Sequence, residues 1–207
     1  MKPVTVISGV AAPLPLANVD TDVIIRIEQL ARCPHDQLGA WAFGPLRYRA
    51  DGSENPDFVL NQPGWRGAPI LVAGRNFGCG SSREHAVWAL QGMGIACVIA
   101  PSFGDIFHGN CFQNGLLPVT LGAAEVQALL ACLQAQQTLG RPVHVTVDLA
   151  RQIVQWPGGD DVGFAIDARR RKALMAGLDS IGVTLTQAPQ IAAWQAQDRQ
   201  RRPWIWR

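Results

Sequence analysis

Residues 75–85 read Arg-Asn-Phe-Gly-Cys-Gly-Ser-Ser-Arg-Glu-His and set two adjacent hydroxyls, Ser81 and Ser82, beside a permanent cation, Arg83. Glycines at 78 and 80 allow the backbone to come close to a ligand. The guanidinium fork matches a carboxylate or a phosphate. Ser81-Ser82-Arg83-Glu84 also fits the S-x-x-E capping box, with Ser81 as N-cap and Glu84 reaching back to it. A helix that starts there would turn unpaired N–H groups toward an anion. The chemistry implied is an anion site with two hydroxyls; an ordinary capped helix after a tight turn fits the same residues. Familiar glycine motifs do not apply. Arg83 stands where a dinucleotide fingerprint needs its third glycine. No Gly-Lys-Ser/Thr is present, and Ser81 follows Gly80 directly, unlike a G-x-S-x-G elbow.

The flanking segments supply a scaffold for this loop. Residues 68–74 form a short apolar run bounded by Pro69 and Gly74 and read as a buried strand. Residues 86–93 are apolar-rich helix formers closed by Gly94, and residues 95–100 form a second apolar run. Strand, glycine loop, helix and strand make a parallel βαβ unit.

Elsewhere, residues 4–10 read as a strand, followed by Pro13 and Pro15, which impose an extended or turning path. Acidic residues alternate in Asn18-Val19-Asp20-Thr21-Asp22 as in a calcium loop. The glycine and closing glutamate of such a loop are missing, so an Asx-type turn is the simpler reading. Residues 26–45 are of mixed helix or loop character, and 47–67 are polar loop material in which Phe58-Val59-Leu60 can pack on the core. Residues 101–115 predict a turn and a short helix, and 116–121 a strand. Residues 123–136 predict an amphipathic helix that buries Val126, Leu129, Leu130 and Leu133. Alternation at 143–149 and 152–156 predicts two strands, with a further one at 164–167. Helices are expected at 168–177 and near 188–197. The fold class is α/β, mostly parallel at its centre, with additional strands toward the C-terminus.

The chain has 207 residues, 48% hydrophobic and 16% charged, enough to bury a substantial core. A net charge of +2 is too weak to argue for nucleic acid. Cysteines at 33, 79, 97, 111 and 132 are odd in number and lack C-x-x-C spacing. They argue against a disulfide framework and against a metal site built from this chain alone. No apolar run approaches the roughly 20 residues of a membrane helix, no signal peptide is read, and a cytoplasmic location is expected. Cys79 reads as a small packed residue and His85 as a neutral, hydrogen-bonded packing residue. His108 reads as a core or surface residue, and His35 and His144 carry no constellation. The basic runs 169–172 and 199–202 read as solvated faces. Trp204 and Trp206 call for the tail to dock on this chain or on a partner.

Residues 76–85 resemble the signature of the small subunit of 3-isopropylmalate dehydratase, a family similar to the C-terminal domain of aconitase. The resemblance extends through residues 18–25, 55–61, 99–107, Asn110, 116–119 and 177–182. It implies a swivelling β/β/α domain over residues 1–207, with a basic, tryptophan-containing tail at about 198–207. It implies a hydro-lyase of leucine biosynthesis that isomerises 2- and 3-isopropylmalate and is active only with a large subunit. That partner would carry a [4Fe-4S] cluster; this chain itself would bind no cofactor and no metal, and the substrate would be a small dicarboxylic acid. By resemblance Ser81 is the general base, Ser82 and Arg83 bind substrate carboxylate, and Thr21 and Asp22 support the same cleft. The chain departs from the family at Arg26-Ile27, where many members have Pro-Lys. It departs again at His35-Asp36-Gln37-Leu38-Gly39, where many have Arg-Thr-Gly-Phe-Gly; this segment is expected to contact the variable group of the substrate. A hydratase for another alkylmalate, such as methylmalate or dimethylmalate, and a non-catalytic binding module are the competing expectations. An RNA-binding role for the basic tail is a third.

Overall fold

The structure is a computed structural model that describes residues 1–30 and 32–206. Its strands are β1 (Val6–Leu14), β2 (Ile70–Ala73), β3 (Cys97–Ala100), β4 (Leu117–Thr120), β5 (His144–Asp148), β6 (Ile153–Gln155) and β7 (Val162–Gly163). The α-helices are α1 (Thr21–Ile24), α2 (Ile27–Leu30), α3 (Gly44–Arg47), α4 (His85–Gly92), α5 (Asp105–Asn114), α6 (Ala123–Thr138), α7 (Ala168–Ala176), α8 (Ser180–Leu185) and α9 (Ala188–Arg201). Short 3₁₀ turns occupy His35–Trp41, Val59–Asn61 and Pro203–Ile205.

The strands form one sheet in the order β4-β3-β2-β1-β5-β6-β7. From β1 to β4 the pairing is parallel, and from β1 through β5 and β6 to β7 it is antiparallel. β1 belongs to both halves. Its residues Val6–Val10 pair with β5, while Ala11–Leu14 pair with β2. Pro13 is tolerated within the strand although it cannot donate to a ladder.

β2, β3 and most of β4 are buried on both faces, as expected for parallel strands covered by helices. Their alternation divides the core in two. Leu71, Ala73, Val98 and Ala100 face a layer containing α4, α5 and the loop residues Phe43, Phe58 and Phe77. Ile70, Val72, Cys97, Ile99, Leu117 and Val119 face α6 and Leu174 of α7. Val126, Leu129, Leu130 and Leu133 of α6 are buried as the helical periodicity predicts.

Two expectations are corrected, and one mixed segment is resolved. The last strand is Val162–Gly163, paired with β6, and residues 164–167 are irregular; Phe164 nevertheless packs in the core. Within the stretch read as mixed helix or loop, residues His35–Trp41 form a 3₁₀ turn. Leu38 and Gly39 are buried, and a Cβ on Gly39 would fall 2.2 Å from the Gly92 backbone carbon, so the 3₁₀ turn and α4 touch backbone to backbone. The capping box is not used. α4 starts at His85, its preceding residue Glu84 is already helical (φ −62°, ψ −30°), and no side chain caps it.

Candidate functional site

Three loops meet beyond the carboxyl ends of β1, β2 and β3, the edge where open parallel sheets place their ligands. Residues 18–22 follow β1, residues 75–84 follow β2, and residues 102–104 follow β3. The middle loop is threaded between the other two by backbone hydrogen bonds. Asn18 N donates to Arg75 O (2.9 Å), Gly78 N to Val19 O (2.7 Å) and Thr21 N to Cys79 O (2.9 Å). On the other side Phe77 N donates to Ser102 O (3.0 Å) and Gly104 N to Phe77 O (2.9 Å).

Side chains reinforce this arrangement. Asn76 donates to Asn18 Oδ1 (2.9 Å), and its own N–H reaches Ser102 Oγ (2.9 Å). Asn76 stands at φ +58°, a left-handed conformation that asparagine tolerates. Gly78, at φ +72°, sits so close to α5 that a Cβ would lie 2.2 Å from the Phe107 ring. Phe77, Phe103 and Phe107 pack in edge and stacked contacts beneath the loop. The loop therefore rests on a rigid apolar floor.

The residues singled out in sequence come together here. Thr21, fully buried, donates from Oγ1 to the Ser81 carbonyl at 3.2 Å, and Arg83 N donates to the same carbonyl at 2.8 Å. Asp20 caps α1 through Val23 N (2.7 Å), the Asx-type turn expected at 18–22. Asp22 is thus carried out to Arg83, with which it forms an ion pair. The Arg83 side chain is 17% exposed and Asp22 54%, so the cation is held from the solvent side by a carboxylate. Ser81 and Ser82 are exposed, and among the described residues neither hydroxyl is engaged in a hydrogen bond. What is assembled is a cation, two free hydroxyls and a pinned carbonyl on one loop.

The failure of the capping box has a local cause. Glu84 Oε1 accepts from Asn114 Nδ2 at 2.7 Å, while Asn114 Oδ1 accepts from Trp88 Nε1 at 2.8 Å. Gln91 Nε2 donates to the Asn114 carbonyl, 2.8 Å. Glu84 is thus committed to the end of α5, and the Ser81 hydroxyl is left without a capping role. The hub at Asn114 and the Asn18–Asn76 pair escape sequence reasoning; their only signal is asparagine beside a turn or helix end.

His85 packs edge-on against Trp88 (4.6 Å), which also holds His35 (4.3 Å). The expected hydrogen bond of His85 is not found among the described residues. Cys79 is a packed residue of the threaded loop. His108, half-buried between Phe103 and Phe112, has its pKa lowered first by burial and then by Arg170, with Asp105 opposing. A lowered histidine pKa means that the unfolded chain binds the proton better. Stability from neutral His108 is therefore complete above its ordinary value near 6.5 and is lost as pH falls below it. Thermal unfolding followed from about pH 7.5 to about pH 5.5 should show a decline that His108→Gln flattens.

Cys97 and Cys111 are buried, and burial pushes both thiols up. Among the described residues no group of three or more His, Cys, Asp or Glu side chains could hold a metal. No helix of the described residues is long and apolar enough to cross a membrane.

A separate cavity of about 610 Å³ lies over α2 and α3, lined by Arg26, Gln29, Trp41, Tyr48 and Arg49 among others. Arg26 is one of the departures from the family pattern.

Known proteins share both the sequence and the fold. The aconitase C-terminal domain family matches residues 1–124. The family described as the C-terminal domain of the 3-isopropylmalate dehydratase small subunit matches residues 180–205. A 3-isopropylmalate dehydratase small subunit of Paramagnetospirillum magneticum is 50% identical over 205 residues, 99% of this chain and 100% of that protein. One from a Jannaschia species is likewise 50% identical over 99% of this chain and 100% of its own length. The crystal structure of 3-isopropylmalate dehydratase from Methanocaldococcus jannaschii superposes with a TM-score of 0.66 at 25% identity, covering 91% of this chain and 99% of that one. By end-to-end similarity the chain belongs to the family of 3-isopropylmalate dehydratase small subunits.

Proposed function

We propose that this chain is the small subunit of a hydro-lyase that interconverts 2-isopropylmalate and 3-isopropylmalate by removal and re-addition of water, in leucine biosynthesis. The observation that carries the reading is family membership along the whole chain, with Ser81, Ser82 and Arg83 on one loop. We further propose that residues 1–207 act as one swivelling unit in the cytoplasm, closing over a cluster-bearing large subunit.

Each residue then has a task. Arg83 exchanges Asp22 for a substrate carboxylate, and its fork fixes the acid in two places. Ser82 adds a hydroxyl to the same carboxylate. Ser81 takes the proton from the carbon beside a carboxylate. The electron pair left on that carbon forms the double bond as hydroxide leaves the neighbouring carbon. Returning the proton and the hydroxide with the two carbons exchanged gives the isomer. The large subunit's [4Fe-4S] cluster would supply Lewis-acid help to the hydroxyl. A serine alkoxide is a strong base and needs stabilisation. Because α4 starts only at His85, that support comes chiefly from Arg83 and from exclusion of water on closure, rather than from helix-terminal amides. Thr21 holds the Ser81 backbone in position, and Asp22 orients Arg83 before substrate arrives.

The isolated chain should be inactive, and activity toward 3-isopropylmalate should appear on mixing with the cluster-loaded large subunit. A mixed pair that assembles yet turns over dimethylmalate but not isopropylmalate would move the assignment to a sister hydratase. Arg83→Lys keeps the charge and loses the fork. It should raise KM on the order of 10- to 100-fold, with a smaller fall in kcat. Steady-state kinetics of the reconstituted variant checks this, and an unchanged KM would remove Arg83 from the binding role.

A further inference from the structure

The C-terminal segment from α8 to residue 206 is built unlike the rest of the chain. No apolar side chain of α8, of α9 or of the 3₁₀ turn that follows is buried. Ile181 is 68% exposed, Leu185 65%, Trp194 56% and Trp204 64%. The one buried residue is Asp198, and it is covered by its own segment. Arg202 Nε and Trp206 Nε1 both donate to its carboxylate, at 2.7 and 2.8 Å, and Arg199 lies over the Trp206 ring at 5.0 Å. The end of α9 is therefore internally tied, while its apolar residues and those of α8 face solvent.

Such an arm is weakly supported on its own. Helices shorter than about 12–15 residues are marginal in water without a packed face, and α8 and α9 have 6 and 14 residues. Exposed leucine, isoleucine and tryptophan on neighbouring turns mark a contact surface.

Two observations name the occupant. The family matched at residues 1–124 is a domain described as the C-terminal part of a longer protein, aconitase. The family matched at 180–205 is described as the C-terminal domain of the 3-isopropylmalate dehydratase small subunit. The arm thus lies outside the part matched by the aconitase domain and within a domain described for the small subunit. Its charge is also one-sided: Arg199, Arg201 and Arg202 stand against a single acid, Asp198, which is already paired. A covering surface must be apolar with an acidic rim.

We infer that residues 180–206 are a docking arm for the large subunit, replacing the covalent tether of a single-chain enzyme. The inference rests on the small-subunit reading and adds the surface by which this protein is held. Ile181, Leu185 and Trp194 are the anchors, and Arg199 and Arg201 meet the rim.

The test uses the full-length chain and its cognate cluster-loaded large subunit, with Ile181→Ser/Leu185→Ser and Trp194→Ala as variants. Sedimentation and calorimetry give the Kd of the pair, and activity titrations give kcat at saturating small subunit. The expected result is a Kd raised on the order of 10- to 100-fold, as for loss of buried interface anchors. At saturation kcat should stay at the wild-type value, and unfolding of the isolated chain should be unaltered. Arg199→Glu/Arg201→Glu should weaken the pair more at low salt than at high salt. An unchanged Kd in both apolar variants overturns the inference, as does loss of a small-subunit homodimer with an unchanged Kd. A wild-type chain that neither binds nor activates the large subunit would instead defeat the small-subunit reading itself.

Discussion

Replacing Ser81 with alanine is expected to lower kcat of the reconstituted enzyme by about 10²- to 10⁴-fold, the range supplied by a positioned acid–base group. The structure makes this a clean substitution. The hydroxyl is exposed and, among the described residues, unengaged, while the residue's place is fixed through its carbonyl by Thr21 Oγ1 and Arg83 N. Nothing that holds the loop is removed with Oγ, so assembly of the pair and substrate affinity should persist. Ser82→Ala is the companion measurement: if Ser82 is a ligand and Ser81 the base, KM rises in the former and kcat falls in the latter. Comparable losses of kcat in both would show that the two hydroxyls do not divide the work in this way. Solvent isotope exchange at the carbon beside the carboxylate, measured in the Ser81 variant, should fall with kcat. Retained exchange would assign proton removal to another group.

The second large effect is on stability. Gly78→Ala should destabilise the isolated chain by about 2–4 kcal/mol, combining the cost of a left-handed residue with a Cβ and that of an overfilled core. The added methyl would meet the Phe107 ring, itself wedged against Phe77 and Phe103, so no flexible side-chain end is there to yield. Relief must come from moving α5 or the loop that carries Ser81. Gly109→Ala in the same helix, where nothing lies within 4 Å, is the control. It should leave stability equal or raise it by about 0.5–1 kcal/mol, the helical preference for alanine over glycine. Urea unfolding of the three proteins gives the comparison. A Gly78→Ala chain as stable as the parent would mean the loop is not seated as described.

Much of this is legible in the sequence because the relevant signals are local. The apolar runs at 68–74 and 95–100, with helix formers between them, announce the βαβ unit around β2, α4 and β3. The spacing of Val126, Leu129, Leu130 and Leu133 marks the buried face of α6. The gathering of Thr21 and Asp22 with Ser81 and Arg83 rests on resemblance, since nothing in spacing brings residues 21 and 83 together. Where local reading fails, the outcome is decided at a distance. Ser81-Ser82-Arg83-Glu84 has the composition of a capping box, yet Asn114, thirty positions from Glu84, claims that carboxylate, and Thr21 claims the Ser81 carbonyl. The short strand Val162–Gly163 has no apolar alternation to announce it; it exists because β6 offers an edge. The tail tryptophans call for docking on this chain or on a partner; Trp206 folds back on α9, and Trp204 lies outside.

The double membership of β1 has a consequence for how the chain is made. β1 precedes all its partners in synthesis: one edge waits for β2 at Ile70–Ala73, the other for β5 at His144–Asp148. Val4, just before the strand, waits longer still, because its N–H donates to Leu174 O. The β5-facing edge therefore stays open while the whole parallel half of the sheet is already available to form. During that interval an unpaired strand edge is exposed to other nascent chains. An early stretch of the chain is thus among the last to be closed, so synthesis of this protein should depend on chaperone cover for β1 more than on the stability of the finished sheet.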